Sequence, residues 1–406
     1  MNVYIFGAHS RAQTLAIYLK TLYKDIQVEA FLYNNDEPNP NEVDEIPVIN
    51  ISGYDLSGKN SGEVTAYNHT EEASANNNAN TISPKLQLDT DNTVYLGVRS
   101  VYHKELISIL ENIGFKNIIP VTPALDMELR NAFLKQYFEK NNQKYIKIED
   151  EALTELDNDS MTNTVKSAPG LNLSSKIDNI GIYVIKSAFD SALSRNDYFT
   201  NAFEKDIQVG CALTSERVAD ICDNVGENIS DRNKQFCELT GLYWIWKHAK
   251  EDIVGLEHYR RHFILPDNWK DILSENNIDV ILPTPLYVHP SLANNYRDRH
   301  VKSDWEFMMG VVKELYPSMY ESAMNYFEKT AIYSPCNMFI MKKAILDEYC
   351  DWLFPILFKC SDHIGQREDK YQNRYPGFMS ERLLSFYFDF YKDKYNIIYA
   401  DKDFRQ

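Results

Sequence analysis

Short apolar runs alternate with helical patterns along the chain, and the switches between the two periods divide it into regions. Val3-Tyr4-Ile5-Phe6 reads as a buried strand, residues 7–12 as a turn, residues 14–23 as a helix, and residues 28–33 as a second strand. Strand, helix, strand is a βαβ opening. A further strand is predicted at 94–100, with helices at 102–113 and 124–138. From 51 to 92 the periodicity gives way to Ser, Asn, Gly, Thr and Asp, with "ASANNNANT" at its centre. Such a segment buries too little apolar surface to offset its ordering entropy, so 52–92 is expected to be a disordered insertion. A polar stretch at 149–176 reads as a linker, after which "NIGIYVIKS" opens a second region. The pattern predicts an α/β protein with one domain at 1–148 and another at 177–406.

The first βα turn has Gly7, but Ala8 and Ala12 stand where a dinucleotide fingerprint needs further glycines. A plain structural turn is therefore preferred there over a phosphate-binding helix N-terminus. With "EIPVI" closing the second unit, the layout resembles the Rossmann-like N-terminal domains attached to surface-sugar biosynthesis enzymes. That likeness concerns the fold and implies no activity.

A length of 406 residues suits two or three domains, and the 44% hydrophobic fraction is enough to bury real cores. The net charge of −17 argues against general nucleic-acid binding, which calls for a basic face. Six cysteines without Cys-x-x-Cys spacing read as reduced core thiols. No basic leader precedes the first strand, and no apolar run is long enough to span a bilayer. A cytoplasmic protein is expected, in contact with the inner face of the cell membrane at most.

Against this acidic background "GLEHYRRHF" (255–263) gathers two arginines and two histidines directly after an apolar strand. Upstream, Asp223, Asn224, Asn228 and Asn233 occupy a polar loop, followed by a helix predicted from about Gln235 to Lys250. Loop, helix and strand end come in the right order to build one pocket, because ligands in open α/β sheets sit beyond the carboxyl ends of the strands. "YWIWK" (243–247) has helical spacing and reads as core rather than as a sugar platform. "NMFIMKK" places Asn337 at a strand start. "RYPGFMSERLL" puts Gly377 at a turn and Glu381 at a helix start. "HPSLANNYRDRH" is a polar loop with Tyr296, Arg297 and His300.

These motifs closely resemble those of the capsular and exopolysaccharide glycosyltransferases grouped as domain of unknown function 4422. The likeness runs from about residue 180 to the C-terminus, through "DN-G-NIS--N--CELT--YWIWK", "GL-HYRR-F", "NMFIMKK" and "R--GF-SERLL". It departs at Lys186-Ser187, where a His-Lys pair is expected. The resemblance implies a GT-A-like nucleotide-sugar transferase domain moving a hexose, with galactose in either ring form as first guess, from a UDP-sugar to a lipid-linked saccharide. Many such enzymes end the strand after the helix in Asp-x-Asp, which holds a metal on the diphosphate. Here His258, Arg260 and Arg261 stand there, so a metal-independent arginine clamp is expected, with Asp223, Asn224, Asn228 and Asn233 completing the donor site. Glu381 is the first candidate for general base, with Glu257 and Asp304 as alternatives. Asn337, Tyr296, Arg297 and His300 are assigned to the sugar or acceptor. Two other readings stay open: a Mn- or Mg-dependent transferase using Asp223 or Asp190, and a non-catalytic nucleotide-sugar-binding or assembly module.

Overall fold

The structure, a computed structural model, describes residues 1–35, 39–52, 88–150, 179–194 and 200–405. The insertion expected at 52–92 and the linker expected at 149–176 lie almost wholly outside these residues. The chain divides into two compact units, Met1–Asn142 and Gln143–Gln406, and both are mixed α/β with sheets rich in parallel strands.

The first unit has strands β1 (Asn2–Phe6), β2 (Gln27–Tyr33), β3 (Glu42–Val43), β4 (Ile46–Asn50), β5 (Thr93–Leu96) and β6 (Ile118–Pro120). Its described helices are α1 (Ser10–Leu22), α2 (His103–Ile113) and α3 (Pro123–Lys140). The sheet runs β3-β4-β2-β1-β5-β6 and is parallel apart from the β3–β4 pairing. As the central strand, β1 is buried on both faces: Tyr4 and Phe6 pack with Leu106 and Leu110 of α2, while Val3 and Ile5 are equally sequestered. Gly7 has a φ of +111°, and a Cβ there would come within 3.0 Å of the Val98 side chain. The small residues of this turn are accounted for by close packing.

The second unit contains β7 (Ile180–Lys186), β8 (Glu204–Gln208), β9 (Ile221–Cys222), β10 (Ile253–His258), β11 (Arg261–Phe263) and β12 (Val280–Pro283). It continues with β13 (Leu286–Tyr287), β14 (Ile332–Tyr333), β15 (Phe339–Lys342), β16 (Ile397–Ala400) and β17 (Lys402–Phe404). Its main sheet runs β16-β12-β15-β10-β7-β8-β9; β15 is antiparallel to both neighbours and the other adjacent pairs are parallel. Consequently the beginning of β15 lies beside the carboxyl end of β10, and a turn residue before β15 can meet a residue at the end of β10.

The larger core lies on one face of this sheet, under α5 (Leu239–His248), α8 (Lys302–Leu315), α10 (Lys343–Ile364) and α11 (Tyr375–Phe390), with α4 (Asn233–Phe236), α6 (Trp269–Glu275), α7 (Leu292–Arg299) and α9 (Pro317–Lys329) as the other α-helices of the described residues. The smaller core, with Ile182, Ile253, Phe263 and Trp269, covers the other face. Side chains alternate along a strand, so Val254 and Leu256 of β10 enter the larger core and Ile253 the smaller one.

Three expectations differ from the structure, the first being that "HPSLANNYRDRH", read as a polar loop, folds largely as α7, capped by the Ser291 hydroxyl and with Tyr296 fully buried. The helix predicted from Gln235 to Lys250 is broken between α4 and α5 by Cys237, whose φ is +48°. Gly377 and Glu381, expected at a turn and a helix start, lie inside α11, which begins at Tyr375 with Pro376 in its first turn. The "YWIWK" aromatics serve packing as expected: Trp246 stacks on Phe354 at 5.4 Å and Trp244 donates to the Val225 carbonyl.

Candidate active site

Alternation along β10 sends the two ionisable residues of its end in opposite directions. Glu257 follows Ile253 toward the smaller core and His258 follows Leu256 toward the helical face. On the Glu257 side the carboxylate is 2% exposed and accepts from the Phe263 amide at 2.7 Å. His262 Nδ1 lies 3.1 Å from both Glu257 and Glu204. Burial pushes the Glu257 pKa up against the pull of His262. Burial would lower that of His262, but its two carboxylate partners outweigh it and push it up to about 9. This triad borders two cavities of about 450 and 250 Å3; the larger also borders Lys186, Ser187, Asp190 and Tyr259.

A histidine whose pKa rises on folding stabilises fully below its unfolded value near 6.5, and this contribution is lost as pH rises through about 9. The triad is therefore expected to cost the fold about 3 kcal/mol between pH ~6.5 and ~9. Denaturant unfolding across that range should show a slope in the wild type that His262→Gln flattens. Parallel curves for the two proteins would mean that His262 does not carry the proton.

On the other face a second cluster forms. His258 Nε2 lies 2.7 Å from the Cys336 carbonyl, and burial lowers its pKa. The Cys336 amide donates to Glu381 at 2.8 Å, and Asn337 Nδ2 donates to Glu238 at 2.9 Å and to the Gly377 carbonyl at 3.3 Å. Asn337 is 2% exposed and its Oδ1 is buried without a hydrogen-bond partner. Burial raises the Glu381 pKa, with the nearby Glu238 charge adding to the effect and Arg382 and Arg261 opposing it. Arg374 reaches in from the residue before α11 and donates to Cys237 Sγ at 3.1 Å. Burial holds the Cys237 and Cys336 thiols near 11, so neither is a ready nucleophile.

The backbone is strained at the same place. Cys237, Cys336 and Asn337 have φ of +48°, +75° and +52°, each costing about 1–3 kcal/mol for a non-glycine residue. A fold that maintains this strain next to two carboxylates, a half-buried histidine and two arginines holds its side chains in fixed places.

The predicted residues distribute unevenly around this centre. Glu381, His258, Asn337 and Arg261 assemble there. Arg260 turns elsewhere: its Nη2 donates to the Ser191 carbonyl at 3.2 Å, and its charge acts on Asp190. Arg261 lies over the Phe404 ring and acts on His258, Cys336 and Glu381. The two arginines do not form a single fork.

Asp223 is fully buried and accepts from the amides of Gly210 and Cys211 and from the hydroxyls of Ser230 and Thr240. Asn233 donates to the Cys237 carbonyl and to Thr240, and Asn228 closes a local turn through Gly226 and Ser230. Gly210, with φ +68°, lets Asn233 close in where a Cβ would meet its Oδ1 at 2.7 Å. These loop residues brace the strained Cys237; Asn224 stands half-exposed beside them.

Asp304, the alternative base, is 2% exposed and held by a two-pronged contact from Arg367. Tyr296 is fully buried, and Arg297 is spent on Glu306 and Glu328. His300 stays half-exposed and stacks on Phe378 at 4.1 Å.

Glu238 and Arg374 complete the cluster but were not among the predicted site residues. Phe236, Leu239 and Leu242 have the spacing of one continuous helix, which hides the break at Cys237 that releases Glu238 from the helix.

Residues 193–393 match the family described as Domain of unknown function (DUF4422). Among solved structures the chain is similar to that of the WbbM bifunctional glycosyltransferase in its apo form, with 26% identity and a TM-score of 0.47. The similarity covers 56% of this chain and 45% of that one, so the chain matches less than half of that relative's length. No curated protein matches the chain.

Proposed function

We propose that the second unit is a glycosyltransferase that moves a hexose from a UDP-sugar to a lipid-linked saccharide, working at the inner face of the cell membrane in surface-polysaccharide assembly. One observation carries this reading: Glu238, Glu381, Asn337 and Arg261 converge at the carboxyl end of β10, where an open α/β sheet binds its ligands. The motif resemblance supplies the donor and acceptor classes.

In this reading the nucleoside occupies the larger cavity beside Lys186, Ser187 and Tyr259. The diphosphate crosses the β10–β11 turn, with Arg260 on the nucleoside side and Arg261 on the sugar side. Asn337 Oδ1 accepts from a hydroxyl of the transferred sugar. The acceptor oxygen attacks the anomeric carbon, its proton passes to the Glu381 carboxylate, and the bond from that carbon to the diphosphate oxygen breaks to release UDP. The raised Glu381 pKa suits a base that must hold the proton it receives. It also predicts an acidic limb in the rate profile above the ordinary carboxylate range.

Among the described residues Glu204, Glu257 and His262 lie close enough together to hold a metal ion. His262 Nδ1 already pairs with both carboxylates, however, and its pKa is pushed up to about 9. The two aspartates expected as ligands are engaged by protein donors. The Asp223 oxygens already take four protein donors. Asp190 accepts from the Ser187 amide and lies beside Arg260. Transfer is therefore expected to persist in EDTA. The test is UDP release from a panel of UDP-hexoses by the purified chain, with and without EDTA and Mn2+. Loss of activity in EDTA with recovery in Mn2+ would reinstate a metal. Nucleotide-sugar binding without turnover would make the unit a binding module, and no binding at all would end the reading.

A further inference from the structure

The cluster around Glu381 explains the donor end of a transfer, but beside it the core leaves a group of aromatic side chains only partly covered. Tyr371 is 53% exposed. Its ring lies 5.0 Å from that of Phe378, and His300 stacks on Phe378 at 4.1 Å with an interplanar angle of 20°. The three rings form a half-open aromatic shelf of which Tyr371 is the exposed member: His300 covers one face of Phe378 and backs it, and the Arg374 guanidinium lies 5.9 Å from the Phe378 centroid.

The shelf is tied to Glu381 by the helix itself. Arg374, Phe378 and Glu381 follow one another at helical spacing and share a face of α11 and its first turn. The strand end approaches Glu381 through Cys336, whereas the shelf approaches it from the preceding turn of α11. A base at Glu381 thus has two distinct neighbourhoods, one rich in charge and amides, the other aromatic.

We propose that Tyr371, with Phe378 backed by His300, is the stacking wall of the acceptor subsite and takes the apolar face of a pyranoside. The inference rests on the glycosyltransferase reading and adds the location and chemistry of its acceptor site. A β-galactoside has a face made of the C–H bonds at C3, C4 and C5, and such a face lies flat on an aromatic ring through dispersion and burial of apolar surface. Burial and the Arg382 charge push the His300 pKa down to about 4. Its ring is therefore neutral at physiological pH and backs Phe378 without bringing a charge to the wall. The position of Arg374 at the edge leaves a charged donor for the hydroxyls that point away from the rings.

The probes are methyl β-D-galactopyranoside and UDP, each followed by saturation-transfer NMR on the full chain, together with UDP release from the donor in water. Tyr371→Ala is exposed enough to leave the fold intact, and Phe378→Leu keeps an apolar volume in case larger truncations unfold α11. Both variants should weaken the galactoside signal by about tenfold in affinity, equivalent to roughly 1.4 kcal/mol. UDP affinity and donor hydrolysis should remain unchanged. Weakened UDP binding with an unaltered galactoside would place a nucleobase on the shelf and overturn the proposal. The proposal falls equally if the wild-type chain gives no galactoside signal or both variants keep it. A chain that binds galactoside but never releases UDP would refute the transferase reading while leaving the saccharide site standing.

Discussion

Glu381→Gln is expected to lose at least about a hundredfold in glycosyl transfer while binding UDP as the wild type does. General-base catalysis contributes roughly 10²–10⁴-fold, and a base acts on the acceptor proton in the transition state, so its removal lowers kcat without touching donor affinity. The amide keeps the size of the side chain and the acceptor for the Cys336 amide, which reaches Glu381 at 2.8 Å. The strained Cys336–Asn337 turn should therefore survive, and the melting temperature should report that. Measured on the same preparation, UDP affinity, transfer rate and Tm separate the roles. Near-normal transfer would remove Glu381 from the chemistry and leave Glu238 as the remaining carboxylate in the cluster. Glu257 and Asp304 are poorer substitutes, since each is 2% exposed and held by a cationic partner.

The sequence disclosed the motifs but not which face of a strand each residue would take. β10 was legible from its apolar run, and a strand alternates its side chains, so Glu257 and His258 had to part. What periodicity left open was the face that carries the chemistry, because this depends on β15 entering antiparallel next to β10. The polar loop at 223–233 has the composition of a ligand site, yet its side chains brace the strained turn at Cys237. A buried carboxylate accepting four hydrogen bonds and one binding a substrate share the same one-letter code. Glu238 was hidden for the opposite reason. Its neighbours Phe236 and Leu239 maintain helical spacing across a backbone that is not helical there.

Arg261→Ala is expected to weaken UDP binding by roughly 30- to 1000-fold, the effect of removing about 2–4 kcal/mol of charge-assisted contact from a partly desolvated site. Because Arg260 faces Ser191 and Asp190 while Arg261 faces His258 and Glu381, the two should not be equivalent. A diphosphate crossing the β10–β11 turn places its nucleoside-side phosphate near Arg260 and its sugar-side phosphate near Arg261. Arg260→Ala should then weaken UMP and UDP alike, whereas Arg261→Ala should weaken UDP and leave UMP nearly unchanged. Lysine at position 261 should recover only part of the loss, since an ammonium lacks the planar fork of donors. Titrations of both nucleotides against both variants at fixed salt resolve the pattern. If Arg261→Ala binds UDP normally, the diphosphate does not cross this turn. In that case the charge of Arg261 would serve to set the ionisation of His258 and Glu381, and the pH profile of transfer, not the affinity for UDP, would shift in the variant.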